Sequence, residues 1–178
     1  MHRFDTRRQA PTATQLELIE QQIGREPRGI EAVACATQEG LPLVLQMRTL
    51  VDDTPFPTLY WLCCRDLCRK IGGIENSGWV KQIEQTLQDD AALRAAYLAQ
   101  QQRYVAQRWQ LMRAEDRQRI EQLGFSELFD RYGIGGIAQW DKVRCLHMQY
   151  AHWLADGDNV IGERLEQEFA LSALDIRL

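Results

Sequence analysis

Residues 30–62 read IEAVACATQEGLPLVLQMRTLVDDTPFPTLYWL, and this stretch decides the fold. Two apolar runs, 30–37 and 41–49, are separated by Gln38, Glu39 and Gly40, the pattern of a β-hairpin. A turn at Asp52, Asp53, Thr54 and Pro55 follows, and residues 56–62 carry the aromatic and β-branched content of a third strand. All five prolines (Pro11, Pro27, Pro42, Pro55 and Pro57) precede Thr58. Proline belongs to turns, sheet edges and helix starts. Beyond Thr58 glycines serve as the separators, so the first third reads as strands and turns and the remainder as helices.

Toward the N-terminus, Thr14 and Glu17 have capping-box spacing, and Leu16, Ile19 and Ile23 recur on one helical face, with Gly24 as the stop. Residues 1–13, which include His2, read as a flexible tail, and 14–178 as a single globular domain. Toward the C-terminus, Cys64, Leu67, Cys68 and Ile71 follow i, i+3, i+4, i+7 spacing, so a helix begins near Cys64. Ser77 is placed to cap a helix over 79–88. Asp89 or Asp90 starts a long helix to the region of Leu123, rich in Ala, Gln, Arg and Leu, with Leu93, Tyr97, Tyr104 and Leu111 on one face. A short helix over 126–131 leads into a glycine turn, GIGG at 133–136. A helix over 141–156 is then stopped by Gly157, and a last helix follows Gly162. The expected fold is α+β: a small N-terminal antiparallel sheet of about three strands packed against a larger helical part on one face.

The chain has 178 residues, with 21 basic against 25 acidic side chains and a formal charge of −4. A domain of this size buries about 70% of its unfolded surface, so it needs neither disulfide nor metal merely to fold. The acidic balance does not favour a nucleic-acid partner, whose protein footprint is basic, although a local basic patch stays open. No stretch reaches the roughly 20 apolar residues of a membrane helix. At the start, Arg3, Arg7 and Arg8 precede no apolar run, so no secretory signal is read there. Five cysteines, with Cys63 and Cys64 adjacent, fit the reduced thiols of a cytoplasmic protein and not a disulfide framework.

The densest run of reactive side chains is Cys145-Leu146-His147-Met148-Gln149-Tyr150-Ala151-His152. On a helix, Val143, Leu146, Tyr150, Trp153 and Leu154 form an apolar stripe, and Cys145, Gln149, His152 and Asp156 form the opposite one, with His147 at the margin. Thiolate with imidazole suits zinc or an iron–sulfur centre. In regular helix, Cys145 and His152 lie about 10.5 Å apart along the axis, too far to share one ion. That objection relaxes if Cys145 precedes the first turn, which the GIGG loop allows. Cys64, at a helix N-terminus, faces N–H groups that lower a thiol pKa. Cys64 and Cys68 either share a metal or pack as small hydrophobes. Arg108, near the apolar face of the long helix, requires a carboxylate partner. The glycines of GIGG could expose backbone N–H groups to an anion, but with neither the P-loop lysine pattern nor G-x-G-x-x-G the string reads as a plain turn.

The strings DDTPFPTLYWLCC at 52–64, GIGG at 133–136 and KVRCLHMQYAHWLADGDNVIG at 142–162 resemble those of the bacterial domain-of-unknown-function family 501. The resemblance runs from about Pro27 to Gly162. It implies a strand motif P-F-P-T-x-Y-W-L closing on a cysteine, which falls on Cys64. It also implies a helix motif C-L-H-x-x-Y-A-H followed by G-D-N-P-V-G, matched by Cys145, His147, Tyr150, His152, Gly157, Asp158 and Asn159. Val160 stands where that pattern has proline. A hairpin-turn cysteine of the pattern is absent, with Thr37 and Glu39 in its place and Cys35 offset. Cys64, Cys145, His147 and His152 are left as the economical set.

The resulting expectation is a cytoplasmic protein whose Cys/His site joins the 56–64 strand end to the 145–159 helix and loop. Cys64, Cys145, His147 and His152 would hold zinc or an iron–sulfur cluster, or form a reactive pair with His147 or His152 as the base. Tyr150, Asp158 and Asn159 are expected to bind a ligand, the last two by orienting an imidazole or contacting it directly. The competing expectation is a non-catalytic module. It would present the Arg/Gln-rich helix 89–123, with Arg103, Arg113 and Arg117, to a protein or RNA partner.

Overall fold

The computed structural model describes residues 3–177, so His2 lies outside the described residues. Strands β1 (Phe4–Asp5), β2 (Ile30–Thr37), β3 (Pro42–Met47) and β6 (Tyr60–Leu62) form an antiparallel sheet in the order β1-β2-β3-β6. Between β3 and β6 lies a two-stranded ribbon of β4 (Leu50–Val51) and β5 (Thr54–Pro55). Its two central residues, Asp52 (φ 49°) and Asp53 (φ 58°), both take the left-handed region. Positive φ at both centres matches a two-residue turn to the right-handed twist of its strands, and aspartate tolerates it.

The helices are α1 (Ala13–Ile23), α2 (Arg65–Asn76), α3 (Trp79–Asp89), α4 (Ala91–Leu111), α5 (Ala114–Gln122), α6 (Ser126–Arg131), α7 (Leu146–Asp156) and α8 (Val160–Phe169). Several boundaries differ from expectation. The tail is drawn onto the sheet, with Phe4 opposite Thr37 and Gln9 bridging to Val33. The capping box of α1 is Thr12 and Gln15, each side chain accepting the other's backbone N–H at 3.1 Å, two residues earlier than Thr14 and Glu17. Ser77 closes α2 by donating to the Ile74 carbonyl, and α3 starts from Gly78. Asp90 caps α4 as expected, but the long helix divides where Met112 and Arg113 become extended. Helix α7 starts at Leu146, leaving Cys145 before its first turn, and Gly157 ends it in the left-handed region.

Both faces of the sheet are covered, a difference from the one-sided packing expected. On one face Ala34, Leu43, Tyr60 and Leu62 join the main core with α2, α3, α4, α7 and α8. On the other, Val33, Leu45 and Met47 pack on Ile19 and Ile23 of α1. A third cluster, Leu50, Ile120 and Phe129, joins the ribbon to α5 and α6. Among the described residues no helix is long and apolar enough to cross a membrane, and the five cysteines are free thiols.

Candidate metal centre

Helices α2 and α7 pack against each other and bring together the groups that matter. On α2, Cys68 and Glu75 are seven residues apart, two turns, and so share a face. The chain enters α7 through the glycine turn, whose Gly135 (φ +74°) lies so close that a Cβ there would stand 2.5 Å from the Arg144 carbonyl oxygen. Cys145 follows at φ 53° and ψ 81°, a left-handed conformation that costs a non-glycine residue energy. It gives the helix no side-chain cap. Glu75 does so from α2, its Oε1 accepting the Leu146 N–H at 2.6 Å. A carboxylate is well placed at the positive end of a helix.

The donor atoms of Glu75, Cys145 and His147 lie within 4.8 Å of one another, a cluster capable of holding a metal ion. The ring of His147 is fixed. Its Nε2 is 3.0 Å from the Cys68 carbonyl oxygen, which can only accept, so Nε2 carries the proton. Nδ1, 3.5 Å from Glu75 Oε1, is left to face the cluster with its lone pair. Metal-ligating histidines are oriented in this way, by a hydrogen bond from the remote nitrogen to a carbonyl or carboxylate. The hydrogen bond with the Cys145 thiol raises the His147 pKa most; the Cys68 carbonyl and Glu75 add to it, and burial opposes them.

The cluster therefore sits between α2 and the start of α7, and not at the end of the 56–64 strand. Of the four residues expected to act together, Cys145 and His147 lie in this cluster; Cys64 and His152 do not join the group. Glu75 completes it, and only its i+7 relation to Cys68 could have suggested it. Cys64 is buried as the N-cap of α2. Burial raises its thiol pKa and outweighs the backbone N–H groups of Leu67 and Asp66, the reverse of the expected lowering. The Cys68 thiol, 3.5 Å from the Leu62 carbonyl, is pushed up to about 12 by burial.

His152 is 2% exposed and lies between the rings of Tyr60 and Tyr104. Its Nδ1 is 3.2 Å from the Asn159 amide nitrogen, a donor, and its Nε2 is 3.7 Å from Asp156. Burial lowers its pKa to about 4, so the ring is neutral. Tyr150 donates to Glu166 at 2.7 Å, and Asp158 is held in a two-point pair by Arg103. Asn159 caps α8 by accepting the N–H groups of Ile161 and Gly162. Two members of the polar stripe of α7, His152 and Gln149, are thus interior, and Gln149, fully buried, bonds with Tyr97 and Asn159.

The Arg/Gln-rich segment is also turned inward in part. Gln100, Gln101 and Arg108 are buried. Arg108 pairs with no carboxylate among the described residues; its guanidinium donates to the carbonyls of Pro57 at 2.6 Å and Tyr132 at 2.8 Å, and to that of Phe129. Arg103, Arg113 and Arg117 are paired with Asp158, Glu31 and Glu121.

Cys145 has a second aspect. It also lines a groove of about 700 Å³, together with Arg25, Arg28, Arg48, Phe56 and Trp61. A groove of that size has room for a small molecule beside the cluster.

No curated protein and no solved structure matches the chain. Residues 33–167, which include all three members of the cluster, match the family model described as "Protein of unknown function (DUF501)", and the chain belongs to that family.

Proposed function

We propose that Glu75, Cys145 and His147 bind a single divalent transition metal, zinc by the chemistry of the donor set, with a fourth position turned toward the groove. The observation that carries this is the fixed His147 ring, whose Nε2–H is spent on the Cys68 carbonyl so that Nδ1 faces the thiol and the carboxylate. One sulfur, one imidazole and one carboxylate suit zinc, whereas an iron–sulfur cluster requires more thiolates than the group contains. Three protein ligands are the number that leaves a position for water or substrate, where the metal acts as a Lewis acid. Five free thiols accord with a reducing, cytoplasmic setting.

Elemental analysis of anaerobically purified, untagged protein tests the reading. About one equivalent of zinc is expected in the wild type, lost in Cys145→Ser, His147→Gln and Glu75→Gln and kept in Cys64→Ser and His152→Gln. A wild type that neither carries nor takes up zinc at micromolar concentration removes it. A second reading is favoured by the hydrogen bond that raises the His147 pKa: Cys145 as a nucleophile whose proton passes to His147. Under that reading the metal-free protein alkylates at Cys145 faster than a free thiol near neutral pH, and His147→Gln removes the advantage.

A further inference from the structure

We infer that the groove beside Cys145 binds a small organic anion with an apolar or aromatic body, its charged end held by Arg25 and Arg28. As a substrate class for the proposed metal site this rests on that reading; as a binding site it does not.

Three guanidinium groups face the groove, and their pairing is unequal. Arg48 is committed, gripping Asp116 through two hydrogen bonds of 3.2 and 2.6 Å. Arg28 pairs with Asp52, but both side chains are well exposed, so water already competes for the pair and an incoming anion can displace it. Arg25 has no carboxylate partner among the described residues; its guanidinium lies over the Trp61 ring, 5.4 Å from the centroid. That stacking leaves the edge of the planar cation, with its N–H donors, free to meet a carboxylate or phosphate in the two-point geometry such groups prefer. Asp52 is the one acidic residue among the lining side chains, against three arginines. The groove is therefore positive on a chain whose formal charge is −4.

Apolar surface supplies the other half of the argument. Phe56, 37% exposed, and Leu16 are the large hydrophobic side chains that the described residues leave exposed, and Phe56 lines this groove. Met47, Met148 and Trp61 line it too, giving soft and flat contacts for a ring or short chain. An anion clamped at Arg25 and lying against Phe56 is carried along a groove that Cys145 also lines.

Calorimetric titration of metal-free, full-length protein at low salt tests the inference, with phenyl phosphate and benzoate as aromatic anions and inorganic phosphate and benzyl alcohol as the separate halves. At least one aromatic anion is expected to bind about tenfold or more tighter than either half, and Arg25→Gln to weaken it roughly tenfold. Arg28→Gln, at a position that is also exposed, gives a smaller loss. A preference for phenyl phosphate over benzoate identifies a phosphate ester, and the reverse a carboxylate. Binding of the halves as tight as of the whole, or an Arg25→Gln protein that binds like the wild type, overturns the inference. Zinc uptake without anion binding leaves the metal reading standing alone, and Arg25-dependent anion binding without zinc uptake leaves the groove standing alone.

Discussion

Cys145 holds a conformation that its side chain does not favour, directly before the helix that carries His147. A residue with a Cβ at φ 53° costs about 1–2 kcal/mol relative to an unstrained one, while glycine adopts that φ freely. Cys145→Gly is therefore expected to leave the unfolding free energy unchanged or raise it by about 1 kcal/mol, while zinc uptake disappears. Urea unfolding read beside metal content checks both; a Cys145→Gly protein destabilised by more than about 1 kcal/mol would show that the thiol is there for packing. Gly135 is the complementary case. Its positive φ and the 2.5 Å approach of the Arg144 carbonyl leave no space for a methyl group. Gly135→Ala is expected to cost about 1–3 kcal/mol and to weaken zinc binding with it, because the displaced backbone is the one that aims Cys145. Intact zinc affinity in a destabilised Gly135→Ala protein would mean that the loop supports the fold alone.

Elements are placed by partners distant in sequence, and Arg108 shows how much one side chain can fasten. From α4 it reaches the carbonyls of Phe129 and Tyr132 at the end of α6 and that of Pro57 before β6, with its cation over the rings of Tyr104 and Phe129. A lysine has one ammonium and cannot span these acceptors, so Arg108→Lys is expected to cost about 2–4 kcal/mol by thermal or urea unfolding, although charge is conserved. The same dependence on distant partners explains which elements the sequence discloses. The hairpin at 30–49, the α2 start at Cys64 and the α7 stop at Gly157 announce themselves through local periodicity and turn chemistry. The two-residue β1 has no period to read; it exists because β2 offers an edge. Nothing at Met112 and Arg113 breaks the helical pattern, yet the chain turns there, and Asp116 on α5 meets Arg48 beside the sheet. Two of the three members of the candidate site were likewise legible: Cys145 and His147 lie in one conspicuous string. Glu75 was not, because its role arises only when α2 packs across the start of α7. His152 lies in the same string, but periodicity says only that it shares a stripe with Gln149, not that packing buries that stripe between Tyr60 and Tyr104, away from the cluster.

For the whole molecule, that enclosed histidine sets a response to acid. His152 faces Asp156 on its own helix, Asp158 beyond the helix end, Arg103 from α4 and Arg8 from the N-terminal segment. The two carboxylates favour its protonation and the two cations oppose it, but burial dominates and lowers the pKa from 6.5 to about 4. The unfolded chain therefore binds a proton between these values that the folded chain does not, and stability must fall as the pH drops from 6.5 toward 4. The slope approaches about 1.4 kcal/mol per pH unit, for a total on the order of 3 kcal/mol. The Asp158 carboxyl, held below its usual range by Arg103, gives up its contribution only at lower pH, so the two effects separate. His152→Gln removes the titration. That variant is expected to be less stable than the wild type at pH 7, where it loses a well-packed ring, and to lose less stability between pH 6.5 and 4. Urea midpoints at half-unit intervals measure the difference between the two slopes. Parallel curves would mean that the enclosed ring takes up its proton without loss in the folded state, with Asp156 compensating for burial.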